Sequence, residues 1–247
     1  MIRIILQPEY IFTFLGISIS NSFFTSMISS LILIVLGLIF YLNKDGHSFL
    51  VNGITVISEY IFKLVESVTE DRSFTKKVFP LVSTFFFVIA VSNLITLLPG
   101  FLGSLYIHTN SALVPILRAP NSDLTSTLAL ALISMFSIQV ISIRKIGIIG
   151  FISRFINFSS PINFVMGIFE IIGELTKIIS FSFRLFGNIF AGEVLFLVSN
   201  FFFPFLLPVP FLLLESFVGL VQAFIFAVLT LSFIEAASIT KKLKTKN

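Results

Sequence analysis

The chain has 247 residues, of which 56% are hydrophobic and only 11% charged, with a mean hydropathy of +1.07. A water-soluble domain cannot carry that balance, so the sequence reads as a polytopic membrane protein. Cysteine is absent, which excludes a disulfide framework, a thiolate metal site and a cysteine nucleophile, and the net charge of +4 is too dispersed to form a nucleic-acid footprint.

No small-residue cleavage site follows Arg3, so no cleaved signal peptide is expected at the N-terminus. Apolar stretches long enough to cross a bilayer run over 26–42, 78–98, 124–143, 162–199 and 209–239. Between the first two, residues 48–71 mix Val51, Ile54, Ile57, Ile61, Leu64 and Val65 with Glu59, Lys63, Glu66 and Glu70, the pattern of an amphipathic surface helix. Ser122 or Asp123 is placed to cap the third span, and Ser159-Ser160-Pro161 to start the fourth. Pro204, Pro208 and Pro210 read as the turn between the last two spans. The fold class expected is therefore an all-α polytopic membrane protein of about five embedded helices plus a surface helix. It forms one membrane domain over 1–247, made of an N-terminal part (1–77), a middle helical pair (78–143) and a charged C-terminal hairpin (144–247).

Loop charges orient this arrangement. Lys44, Lys63, Arg72, Lys76, Lys77, Arg144, Lys145, Arg154, Lys241, Lys242, Lys244 and Lys246 fall on one side, Arg3 and Arg118 on the other. The positive-inside rule puts the larger set, and the C-terminus, in the cytoplasm.

The fourth span is too long for a simple crossing: 162–199 as one helix measures about 55 Å, against a hydrocarbon core of about 30 Å. Unless Gly173, Gly187 or Gly192 breaks it, such a helix must tilt steeply. It also carries Arg184, whose guanidinium stays charged and is costly to place in a bilayer without a purpose. At about 100° per residue, Lys177, Ser180, Arg184, Gly187, Asn188 and Ala191 share one broad face, Glu170 returns to it, and Glu193 lies roughly opposite Arg184. Small Gly187 and Ala191 let a neighbouring backbone approach the arginine. The last span brings Glu215 and Gln222, seven residues apart and so on one face, within reach of the preceding helix. Structural readings compete at each place. Arg184 can form an internal ion pair with Glu174 or Glu193, and Asn188 and Gln222 can simply hydrogen-bond between helices. Glu170, Glu174 and Lys177 can neutralise one another, and Asp123 can act only as a cap. His47 and His108 have no ligand spacing around them, so no metal site is expected.

The run from Ser182 to Glu193, Ser-Phe-Arg-Leu-Phe-Gly-Asn-Ile-Phe-Ala-Gly-Glu, followed by Gln222-Ala223-Phe224-Ile225-Phe226, resembles the signature of subunit a of F-type ATP synthases. Ser92 to Gly100 is similar to the end of that family's second span, and Arg118 to Leu132 to its next one. The resemblance covers the chain from about residue 50 onward, with several motifs in the family's order. It implies a proton-translocating stator subunit of the membrane sector, in which Arg184 is the essential arginine facing the rotating c-ring. Asn188 and Gln222 would be its polar neighbours, Glu193 and Glu215 half-channel carboxylates, and Glu170 an acid one helix segment earlier. Two acids at Glu193 and Glu215 depart from the family's familiar Glu/His pairing and leave open which of them carries the proton. The resemblance further implies the c-ring, the subunit b peripheral stalk and the rest of the complex as partners, no cofactor, and no bond chemistry by this chain alone. The Arg118 to Leu128 segment resembles bacterial members more than animal mitochondrial ones, so a bacterial plasma (inner) membrane is expected ahead of an organellar energy-transducing membrane. A secondary transporter would show internal repeats, which the sequence lacks.

Overall fold

The computed structural model of the protein describes residues 10–14, 17–42, 49–69, 71–95, 106–109, 112–115, 117–155, 161–202 and 208–239. Seven α-helices dominate these residues: α1 (Asn21–Leu42), α2 (Phe49–Thr69), α3 (Arg72–Ile95), α4 (Leu124–Ile146), α5 (Ile148–Phe155), α6 (Pro161–Phe202) and α7 (Pro208–Ile239). All but α2 and α5 are long and apolar enough to cross a membrane, in the places the hydropathy pattern predicts. Lys44, His47, Ser159, Ser160, Pro204, the basic residues from Lys241 onward and the 96–98 end of the second predicted span lie outside the described residues.

The boundaries that move do so for physical reasons. Helix α1 begins at Asn21 rather than 26, because Ser22 and Thr25 are buried with partners: the Ser22 hydroxyl donates to Asp123 at 2.9 Å, and Thr25 Oγ1 accepts from the Arg118 amide at 3.2 Å. Polar residues that hydropathy counts against a span are here bonded to another element. Pro208 and Pro210 belong to the first turn of α7 and not to the turn before it, where a missing N–H costs nothing. Two short antiparallel hairpins were not expected: β1 (Tyr10–Phe14) pairs with β2 (Ile17–Ser20), and β3 (Tyr106–Thr109) with β4 (Ala112–Pro115). Their alternating and β-branched residues sit in segments too short to stand out beside the spans.

Asp71 heads α3, where its carboxylate accepts from the Ser73 amide at 2.9 Å and the Ser73 hydroxyl at 3.0 Å. These bonds hold the Asp71 carboxyl below its ordinary range. Asp123 performs the same task for α4 by accepting from Thr125 N, as the capping reading predicts. Gly147 closes α4 with φ 84°, a conformation that favours glycine, and turns the chain into α5.

Helix α7 is the centre of the packing, in contact with α2, α3, α4 and α6. At one end Val78 and Val82 of α3, Met135 and Ile138 of α4, and Ile61 and Val65 of α2 close on Leu231 and Ile234. Further along, Phe85 and Ile89 of α3 and Phe181 and Leu185 of α6 close on Ala223 and Phe226, with the Phe181 and Phe226 rings 4.8 Å apart. Helices in lipid gain little from expelling water against one another, so close packing and interhelical hydrogen bonds set the arrangement. Ser134 with Thr230 at 3.0 Å and Thr127 with Ser182 at 3.1 Å supply two such bonds.

Gly219 marks a close approach of α3 and α7. A Cβ there would stand 3.0 Å from Asn93 Cβ, and Asn93 Nδ2 donates to the Gly219 carbonyl at 2.9 Å. Gly219→Val is expected to part the two helices and weaken the subunit by roughly 1–3 kcal/mol. A clear drop in the thermal midpoint of the detergent-solubilised complex would register it, and an unchanged midpoint would count against this contact.

Candidate functional site

Helix α6 is continuous over 42 residues, about 63 Å, with no break at Gly173, Gly187 or Gly192. Its two faces differ sharply in the middle. Phe181, Ser182, Leu185 and Ile189 are buried against the rest of the fold, whereas Ser180, Arg184, Asn188 and Ala191 are exposed on the other side. Among the described residues Arg184 makes no ion pair or hydrogen bond, so neither Glu174 nor Glu193 neutralises it. Glu174 is taken by Arg154 and Lys177, and Glu193 by Arg118.

One turn along from the arginine, Asn188 Nδ2 donates to Gln222 Oε1 at 2.9 Å. This is the interhelical bond the polar spacing suggested. Gln222 is buried in α7, and the bond anchors the exposed Asn188 amide beside Arg184. Gly187, with open space at its Cβ position, keeps the strip low enough for another backbone to come near.

Toward the Phe202 end of α6 the structure brings Glu193 and Glu215 together across the α6/α7 contact. A Cβ at Gly192 would lie 3.1 Å from the Glu215 carboxyl carbon, so the absence of a side chain there is what admits the carboxyl. Glu215 is 8% exposed, and its Oε2 has no hydrogen-bond partner among the described residues. Glu193 Oε1 stands 3.6 Å from Nε of Arg118.

Arg118, which the loop-charge pattern counts toward topology, is buried at 8% exposure. Its Nε donates to the Ser122 hydroxyl at 3.2 Å, within a 3-10 turn over Pro120–Ser122 that precedes α4. Asn121 of that turn donates to Asn93 Oδ1 at 2.6 Å, and Asn93 in turn donates to Gly219. A polar cluster therefore joins α3, the turn, α6 and α7 around the two acids. Asn93, Asn121 and Arg118 all lie in the Ser92–Gly100 and Arg118–Leu132 stretches that carried the resemblance, which was the available signal for them.

Glu170 is elsewhere, about 35 Å from Glu193 along α6. It ion-pairs with Arg154, the last basic residue of α5, which also reaches Glu174 at 3.3 Å. Gln139 of α4 donates to the other Glu174 oxygen at 2.9 Å, and Lys177 to Glu174 at 3.1 Å. The expected neutralisation within α6 is thus partly right. Lys177 does meet Glu174, but Glu170 is neutralised by a different helix. Gly167 makes this possible, since any side chain there would strike the Phe155 carbonyl where α5 meets α6.

A family profile described as ATP synthase A chain matches residues 23–235. The chain is 30% identical to "ATP synthase subunit a" of Helicobacter hepaticus over 239 residues, covering 94% of this chain and 97% of that one. It is 33% identical to "ATP synthase subunit a" of Moorella thermoacetica over 176 residues, 71% of each chain. With the protein of the same name from Campylobacter hominis the identity is 37% over 166 residues, 66% of this chain and 64% of that one.

Proposed function

This chain belongs to the family of ATP synthase subunit a, and we propose that it is the proton-conducting stator subunit of the membrane sector, coupling ion flow to rotation of a c-ring. The observation that carries the reading is Arg184: a permanent cation, exposed on an otherwise apolar helix, with no counter-charge among the described residues. A charge so placed in a membrane calls for water or a counter-charge, and a carboxylate on a neighbouring subunit fits its exposed face.

The electrostatics follow from that placement. A ring carboxylate that loses its proton beside Arg184 is held by the guanidinium, whereas the same carboxylate facing lipid would be costly in its ionised form. Each ring carboxyl must therefore take a proton from a half-channel before it leaves the interface. The fixed charge of Arg184 also repels protons passing straight from one half-channel to the other, so current has to turn the ring. A membrane potential supplies about 2.3 kcal/mol per charge per 100 mV for this exchange. Helix α6, at about 63 Å, exceeds the bilayer thickness roughly twofold and would lie steeply tilted across the ring. Asn188 and Gln222 hold the polar surroundings of the arginine, while Glu193 and Glu215 serve one half-channel and Glu170 marks the approach to the other. Bond chemistry on ATP belongs to the rest of the complex, to which this subunit would be tied through the c-ring and the subunit b stalk.

ATP-driven acidification of inverted membrane vesicles tests the reading. Quenching of a pH dye that an uncoupler abolishes and that needs no sodium is the expected result. Acidification that appears only as a sodium-dependent secondary effect would assign a different coupling ion, and no ion movement at all would remove the function.

The orientation is a bacterial plasma (inner) membrane with the C-terminus cytoplasmic, supported by the twelve Lys and Arg that fall on one side of the five spans, against Arg3 and the buried Arg118 on the other. Single cysteines at Ser104 and Thr245 are expected to react with a membrane-impermeant maleimide from outside at the first position alone. Labelling of the Thr245 position with protection of Ser104 would invert the topology.

A further inference from the structure

A half-buried carboxyl group, Glu193, and a buried one, Glu215, lie together at the Phe202 end of α6, but their surroundings are unequal. Glu193 has a fixed cation at 3.6 Å in Arg118, whose guanidinium does not give up its proton. Glu215 has none: among the described residues no Lys or Arg comes within ion-pair distance of it, and since the Oε2 atoms of both acids accept no hydrogen bond, the cation is what separates the two. Asp123, the remaining acid of this cluster, is committed to the Thr125 amide and the Ser22 hydroxyl. Neighbouring carboxylates in an apolar setting do not both stay ionised unless each is compensated.

Resting on the proton-conducting role proposed above, we infer that Arg118 is a positioning residue of the half-channel: it engages the Glu193 carboxylate in an ion pair, and the proton passing to and from the ring is carried by Glu215. The chain builds the asymmetry deliberately. Arg118 is immobilised by its own amide on Thr25 and by its Nε on Ser122, so the cation is set by α1 and the 3-10 turn and not by α6 or α7. Glu193 then presents its paired oxygen to the turn, while Gly192, one residue back, opens the wall of α6 to the Glu215 carboxyl. A proton reaching Glu215 meets a carboxyl with no competing cation, next to an ion pair that is neutral as a whole. The net charge around the carrier is consequently unchanged by Arg118 and Glu193 as long as both are present.

That last point supplies the test. Arg118→Gln leaves Glu193 as an uncompensated buried anion beside Glu215 and is expected to lower ATP-driven pumping about tenfold or more, since breaking one side of a buried pair is costly. Adding Glu193→Gln removes the stranded charge, and the double variant is expected to pump at least about threefold faster than Arg118→Gln alone. Arg118→Lys, which restores the charge, should also recover. A double variant as poor as Arg118→Gln, in complexes that assemble and hydrolyse ATP, would overturn the inference by making Glu193 the carrier. In the wild-type complex a hydrophobic carbodiimide, which attacks protonated carboxyls, should modify Glu215 and spare Glu193 when subunit a is mapped by mass spectrometry. Preferential modification of Glu193 would overturn the assignment without any variant having to fold. Arg184→Ala on the same membranes separates the two levels: pumping that survives it removes the parent function, whereas its loss together with failure of the double variant removes only the role of Arg118.

Discussion

Arg184→Ala is expected to abolish ATP-driven proton pumping, to about one hundredth of wild type or less, while the complex still assembles. The structure argues for intact assembly because the guanidinium is exposed and makes no internal bond among the described residues, so its removal leaves no buried partner stranded. Loss of coupling follows from the same fact, since the cation of this face that no acid among the described residues pairs is then gone, Lys177 being held by Glu174. Nothing remains to draw a ring carboxylate into its ionised form at the interface, and nothing bars protons from passing directly between half-channels. A passive leak through the membrane sector, measured as faster collapse of an imposed pH gradient in vesicles stripped of the catalytic sector, is the expected companion. Arg184→Lys should rescue poorly, because an ammonium in apolar surroundings can lose its proton and lacks the planar fork. Near-normal pumping in Arg184→Ala membranes would show that the ring-facing charge is another residue.

Much of this was legible in the sequence because lipid imposes a simple rule. Five stretches of apolar residues had to be helices, and a charge within one of them had to have a function or a partner. Arg184, Asn188 and Gln222 stood out for that reason, and a bond between Asn188 and Gln222 across the hairpin, one of the readings their polarity allows, is present. What stayed hidden depended on tertiary placement. Arg118 sits in a segment that reads as a loop, and only the packing of α1 and the 3-10 turn reveals that it is buried against Glu193. Helix α5 is only eight residues long, too short for its apolar and polar faces to stand out beside the spans. Its contribution, Arg154 on Glu170 and Glu174, was therefore invisible while the same acids looked like an internal helix pattern with Lys177. Polar residues at helix ends, such as Asn21, Ser22 and Thr25, depress hydropathy but are buried and bonded, so the span is longer than its apolar run.

Replacing both acids, Glu193→Leu with Glu215→Leu, is expected to reduce proton flux about a hundredfold, whereas Glu215→His should remain within about tenfold of wild type. Proton transfer needs a group that can both accept and release a proton within hydrogen-bond reach of its neighbours, and imidazole meets that condition where leucine does not. Glu215 is the position with the greater demand, since its carboxyl lies against Gly192 with a free buried oxygen while Glu193 is engaged by Arg118. The double leucine variant also strands the Arg118 cation beside an apolar wall, adding a barrier to any proton that reached the site by water alone. Dye quenching driven by ATP in inverted vesicles measures both variants on one scale, with complex assembly verified by the uncoupled ATPase rate. Normal quenching in the double variant would take both carboxyls out of the proton path, and complete loss in Glu215→His would mean that the site requires an anion there rather than a titratable group.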